Sequence, residues 1–139
     1  MRMEVKVSEQ NLQLVRGIYE SFSRGDVASV LGAMDPRIEW NEAEGFPYAD
    51  GNPYIGPTSV AEGVFARLVG EWEYFKVDVE ELLDAGDTVI AFGRYRAKHK
   101  QTGAAMDAQF AHFWWLRNGK AARFQQYTDT AQARAAVGS

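Results

Sequence analysis

Two aromatic-rich runs flanking Arg117-Asn118-Gly119 dominate the hydrophobic pattern of this chain. Asn-Gly between alternating apolar runs is a strong hairpin signal, because both residues tolerate the positive φ of a tight reversal. Strand alternation places Phe110, His112, Trp114 and Leu116 on one face of the first arm. On the second arm it places Ala122, Phe124, Gln126 and Thr128 together. Neither face of the hairpin is plainly polar, so both are expected to be covered. One face carries an imidazole and a carboxamide among apolar groups, and each loses free energy there unless it finds a partner. That face is where a site is expected.

The same periodicities organise the rest of the chain. Ser8 is read as the cap of an amphipathic helix over 9–24, with Asn11, Val15, Ile18, Tyr19 and Phe22 on one stripe. Gly25 ends it, and Asp26 caps a second helix over 27–34 that Asp35-Pro36 stops. A short strand over 37–42 puts Ile38, Trp40 and Glu42 on one side. Residues 43–56 read as a loop rich in Gly, Pro and Tyr, long enough to suggest a lid. From Pro57 or Thr58 a helix repeats Val60, Val64, Leu68 and Trp72, with Ala61 and Phe65 beside them. Phe75, Val77 and Val79 alternate with charged residues in a half-buried strand, and a turn at 84–87 leads into a long strand over 88–100. Thr102-Gly103 turns into the hairpin, and Asp129 or Thr130 caps a last helix over 131–137. Helix, helix, strand, helix and four strands joined by tight turns describe an α+β architecture in one domain over 1–139. A strongly curved antiparallel sheet wrapped around the helices leaves a conical pocket between them.

Composition narrows the function. At 139 residues the chain can bury one substantial core, and its apolar and charged fractions of 46% and 24% are ordinary for a globular protein. A net charge of −4 without a basic cluster argues against nucleic acid as a partner. There are no cysteines, which excludes disulfides and thiolate metal sites, and only two histidines, which excludes a histidine-rich one. No signal peptide or membrane-spanning run is recognisable, so a cytoplasmic protein without membrane contact is expected.

A set of local signatures then points to a family. They are Ile18-Tyr19 and Gly25-Asp26 in the helix pair, Ile38-Glu39-Trp40 on the first strand and Tyr54-Ile55-Gly56-Pro57 before the third helix. They continue with Ala85-Gly86-Asp87-Thr88-Val89, Thr102-Gly103, Phe113-Trp114 with Arg117-Asn118-Gly119-Lys120, and Tyr127-Thr128-Asp129. Together they resemble the nuclear transport factor 2-like superfamily, in its SnoaL-like, ketosteroid-isomerase-like branch, over nearly the whole chain. The resemblance implies a cystatin-like α+β barrel with a hydrophobic conical cavity, no cofactor and a homodimer formed through the outer sheet face. Such cones host isomerases, polyketide cyclases, epoxide hydrolases, dehydratases and non-enzymatic binders, so the fold does not name a reaction. In the steroid isomerases the base is an aspartate late in the first strand; that position holds Trp40. Their helix tyrosine falls on Ile18 beside Tyr19, and their protonated aspartate donor aligns with His112. The epoxide-hydrolase charged triad falls near Tyr95, Gly93 and Gln126 and is absent. The carboxylates nearest to a cyclase acid/base are Glu42 and Asp107.

Two functions remain open on these residues. In one, His112 and Glu42 are the acid and base of a cofactor-free isomerase or cyclase acting on a hydrophobic, oxygenated substrate; no metal is involved. An inward imidazole titrates near neutrality, and a carboxylate in an apolar cavity has a raised pKa. In the other, the cone binds an apolar small molecule without turnover. The ligand-binding set is Trp40, Phe65, Trp72, Tyr95, Phe110 and Trp114 as wall, with Tyr19 and Gln126 as polar contacts. A third option is a dimerisation domain with no ligand. His112 and Tyr19 have a competing role in core packing, and Glu42 a competing place in the solvated Glu39-Glu42-Glu44 loop. A slip of one residue in strand register would exchange His112 for Asp107 in the pocket. His99, between two lysines, is expected to be exposed. Phe113 and Trp115 are expected on the outer face, where Arg94 and Arg96 pair with acidic groups.

Overall fold

The structure is a computed structural model that describes the backbone of residues 2–138 and the side chains of residues 8–138. Two helices, α1 (Arg2–Ser23) and α2 (Val27–Gly32), precede strand β1 (Met34–Asn41). A 3-10 turn (Pro47–Gly51) and the two-residue strand β2 (Tyr54–Ile55) lie within the predicted loop. Then come α3 (Pro57–Val60), a π turn (Ala61–Phe65) and α4 (Ala66–Glu71), which run on as one helix. Strands β3 (Trp72–Ala85), β4 (Thr88–His99), β5 (Ala105–Arg117) and β6 (Lys120–Thr128) follow, and α5 (Thr130–Val137) ends the chain.

The strands form one curved, unclosed sheet in the order β2-β1-β6-β5-β4-β3. The four long strands are joined by tight turns and pair antiparallel, while β1 lies parallel to β6. The sheet is therefore mixed at one ladder, where uniform antiparallel pairing was expected. Asn118 (φ 52°) and Gly119 (φ 73°) make the predicted hairpin reversal.

Several local expectations change. The first helix already runs from Arg2, so Ser8 sits inside it and does not cap it. Asp26 and Asp129 do cap their helices, accepting from the backbone N–H of Ser29 and Gln132. A bulge between Trp115 and Leu116 slips the register with β6 by one residue. Ala121, Phe124 and Gln126 consequently face inward and Ala122 does not. His99 is buried at 7% exposure, edge-on to Trp72 with ring centroids 5.0 Å apart. Its cationic neighbours lie on the alternate face of the strand. Arg94 pairs with Asp107 and Arg96 with Asp78 on the outer side of the sheet, as expected.

A second bulge opposite Gly93, between Val79 and Glu81, bends β3 over the end of the cone. The close approach leaves no room for a side chain: a Cβ at Gly93 would run into the Asp78 carbonyl. Gly93→Ala is expected to lower stability by about 1–3 kcal/mol or to prevent folding, read as the shift in the urea unfolding midpoint.

Candidate functional site

Trp40, Phe124 and Trp114 stand side by side on the inner face, because β1 pairs Trp40 with Phe124 and β5 pairs Trp114 with Phe124. The Trp40 and Phe124 rings stack with centroids 3.7 Å apart, and Trp114 meets both at steep angles. Ile18, Tyr19 and Phe22 of α1 face this floor, with Phe46 from the loop and Phe75 and Val77 of β3 at the side. The extra residue in the π turn points both Val64 and Phe65 inward. These groups line a narrow apolar cavity of about 60 Å³ that is partly open to solvent.

Besides the two indoles, five polar side chains reach this apolar cavity: Tyr19, Glu42, Tyr95, His112 and Gln126. Four of them form one chain. The Trp114 indole N–H donates to the Tyr19 hydroxyl at 2.8 Å, and that hydroxyl lies 2.6 Å from His112 Nδ1. His112 Nε2 is bonded to the Tyr95 hydroxyl, which accepts from Gln126 Nε2 at 2.9 Å. Gln126 Oε1 in turn accepts the backbone N–H of Ala43 at 3.1 Å, which fixes the orientation of the amide. Burial holds His112 neutral, pushing its pKa down from 6.5 to about 3. Burial also raises both phenols well above their ordinary range.

Glu42 is the fifth group. It follows Trp40 by two residues and so shares its face, and it is 3% exposed rather than solvated. The Asn52 side chain holds its backbone in place, accepting the Glu42 N–H at 2.9 Å and donating to the Glu42 carbonyl at 2.8 Å. The Trp40 indole donates to Glu42 Oε2 at 3.0 Å. Desolvation raises the carboxyl pKa to about 7, outweighing the Trp40 bond and the more distant charge of Arg67, both of which lower it. Arg67 is itself engaged by Asp50 at 2.8 Å.

The structure thus gathers Trp40, Phe65, Trp114, Tyr19, Tyr95, Gln126, His112 and Glu42 around one space. Phe110 and Trp72 do not reach it. Phe110 stacks behind Tyr95 and close to His112, with centroids 4.6 and 4.2 Å away. Trp72 is the first residue of β3, not the end of a helical stripe, and donates to the Tyr48 hydroxyl at 2.9 Å. Asp107 faces outward. Wall residues not anticipated include Phe46 and Phe124; the alternation that selected Gln126 marks Phe124 as well, whereas nothing local distinguishes Phe46. Among the described residues no three His, Asp or Glu come together to hold a metal, and no helix is long and apolar enough to cross a membrane.

A family profile for the SnoaL-like domain matches residues 15–124. The chain belongs to the SnoaL-like family. A crystal structure of an NTF2-like protein from Burkholderia thailandensis is 36% identical, with TM-score 0.87 over 92% of this chain and 97% of that one. TerC, co-crystallised with polyporic acid, is 26% identical, with TM-score 0.83 over 94% and 99%. An NTF2-like protein from Burkholderia pseudomallei is 27% identical, with TM-score 0.85 over 94% and 98%. A search of functionally curated proteins finds no match. In this SnoaL-like chain the buried carboxylate of Glu42 stands two residues after Trp40.

The opposed shifts of Glu42 and His112 predict a pH signature. Folding raises the Glu42 pKa above its ordinary 4.5, so the folded state is disfavoured progressively as pH climbs from about 4.5, levelling off above about 7. Glu42→Gln removes that penalty. Its stability relative to the parent should rise by roughly 3 kcal/mol between pH 4 and pH 8, measured by urea unfolding across pH. His112 acts in the other direction: because folding lowers its pKa, stability falls as pH drops below about 6.5 toward 3.

Proposed function

We propose that this chain is a cofactor-independent isomerase or cyclase that moves protons on a flat, oxygenated, largely apolar ketone. The observation that carries this reading is Glu42: a carboxylate in an apolar cavity, bonded on one oxygen by an indole, beside two phenols held by one imidazole. A carboxylate with a pKa near neutrality is suited to abstract a proton from the carbon next to a carbonyl. A phenol O–H supplies the complementary part, a donor for the oxygen where enolate charge develops. His112 does not act as a charged acid here. It positions Tyr19 and Tyr95, while the stacked Trp40 and Phe124 rings, with Trp114 set steeply against them, provide the aromatic wall. Similarity to a chain crystallised with polyporic acid supports a small organic ligand in this cavity.

The test is solvent deuterium incorporation, followed by proton NMR, at the α-carbon of 2-tetralone and related bicyclic ketones. The parent should catalyse the exchange, and Glu42→Gln should slow it by about 10²–10⁴-fold. Tight binding of these ketones with no exchange above background would assign the cavity to a non-catalytic binder instead.

Dimerisation through the outer sheet face is the companion proposal. Phe113 stacks on Trp115 with centroids 5.9 Å apart, Arg123 lies over the Trp115 ring, and Tyr127 is 54% exposed beside them. A contiguous aromatic face of this kind favours association. The parent should sediment as a dimer and Phe113→Glu/Tyr127→Glu as a monomer.

A further inference from the structure

The hydrogens of the polar chain do not match its junctions. Trp114 can only donate, and Gln126 must donate from Nε2 because its Oε1 is taken by the Ala43 N–H. Tyr19 and Tyr95 therefore each already accept one bond from outside. Two junctions remain, Tyr19–His112 and His112–Tyr95. Three hydrogens are available to fill them: one on each phenol and one on the neutral imidazole. One phenol O–H must leave the chain, and both phenols line the cavity.

Which phenol is left over depends on the tautomer. With the imidazole proton on Nε2, Tyr19 donates to Nδ1, Nε2–H donates to Tyr95, and the free O–H is at Tyr95. With the proton on Nδ1, both bonds at His112 reverse and the free O–H is at Tyr19. The heavy atoms stay in place in both arrangements.

We propose that Tyr19–His112–Tyr95 is a neutral proton relay whose imidazole changes tautomer and not charge, presenting a free phenol proton at either of two points in the cavity. This rests on the acid–base reading of the site and names its substrate class: a conjugated hydroxy-carbonyl compound with an oxygen near each phenol. Starting from the Nε2–H form, the ligand carbonyl takes the Tyr95 proton and Tyr95 takes the proton from Nε2. Nδ1 then takes the Tyr19 proton, and Tyr19 takes one from the ligand hydroxyl. Four bonds to hydrogen break and four form, no group becomes charged, and the ligand leaves as its tautomer. Burial suits such a relay, since imidazolium and phenolate are both disfavoured in the cavity.

The test is ring ¹⁵N–¹H correlation NMR of the full-length protein, with His112 identified against the His112→Gln spectrum, in which only His99 remains. The parent should show a neutral His112 ring from pH 5 to pH 9; protons on both nitrogens at pH 7 would overturn the relay. Tyr95→Phe leaves Nε2 without a partner. A buried N–H is orphaned less readily than a lone pair, so its proton should sit on Nδ1, donating to Tyr19. Tyr19→Phe should place it on Nε2, donating to Tyr95. The same tautomer in both variants would refute a ring that switches. These readings need no turnover. Failure of the Glu42→Gln exchange assay leaves them intact, and a locked tautomer leaves the role of Glu42 intact.

Discussion

An imidazole on the inner face of a curved sheet has two ring nitrogens to satisfy without water, and much of the arrangement follows from how that is done at His112. An unpartnered polar group in such a place costs about 1–3 kcal/mol. Here Tyr19 comes from α1 and Tyr95 from β4, two elements that share little sequence but meet at one ring on β5. The bonds continue through Trp114 on the same strand and through Gln126 on β6 to the backbone after β1. One connected chain therefore ties the first helix, three strands and the start of the loop together across the cavity. It sets how deeply α1 sits against the sheet, and with it the width of the space below.

The same dryness decides the charge state of the site. Desolvation drives Glu42 and His112 in opposite directions on the pH scale, up to about 7 and down to about 3, and both movements favour the uncharged form. Near neutral pH the imidazole and both phenols are neutral, and Glu42 is the group that changes charge. The cavity therefore holds one carboxyl that ionises near neutral pH among neutral hydrogen-bonding groups. A pair of carboxylates, or an imidazolium facing a carboxylate, would hold more charge and would need compensating water.

Much of this was legible in the pattern of residues. Asn118-Gly119 set the hairpin, and period-two alternation correctly turned His112, Trp114 and Gln126 inward, since a side chain's face depends on parity alone. Depth is another matter. Phe110 and Trp72 have the right parity or stripe but lie behind Tyr95 and beside Tyr48, because the cone narrows and no local pattern records its taper. The bulge after Trp115 exchanges Ala122 for Ala121, a change of one residue that composition cannot signal. The burial of His99 against Trp72 was hidden by flanking lysines that occupy the other face. Glu42 was obscured most, since its neighbours in sequence are acidic and its burial depends on Asn52, ten residues on, which substitutes for a missing strand partner.

Trp40 and Glu42 act as a pair at the floor of the cavity. Trp40 brings an indole N–H to the cavity floor. Two residues later the strand returns to the same face, and the carboxylate there accepts that N–H on Oε2. Among the described residues no partner bonds Oε1, so one oxygen is anchored and the other is unbonded. The indole lowers the carboxyl pKa against a larger desolvation effect, and the balance falls near neutrality instead of far above it. Stacking of Trp40 on Phe124 then holds the donor in place from the neighbouring strand. Wall, anchor and carboxylate are thus one unit, and replacing Trp40 would disturb the protonation of Glu42 as well as the shape of the cavity.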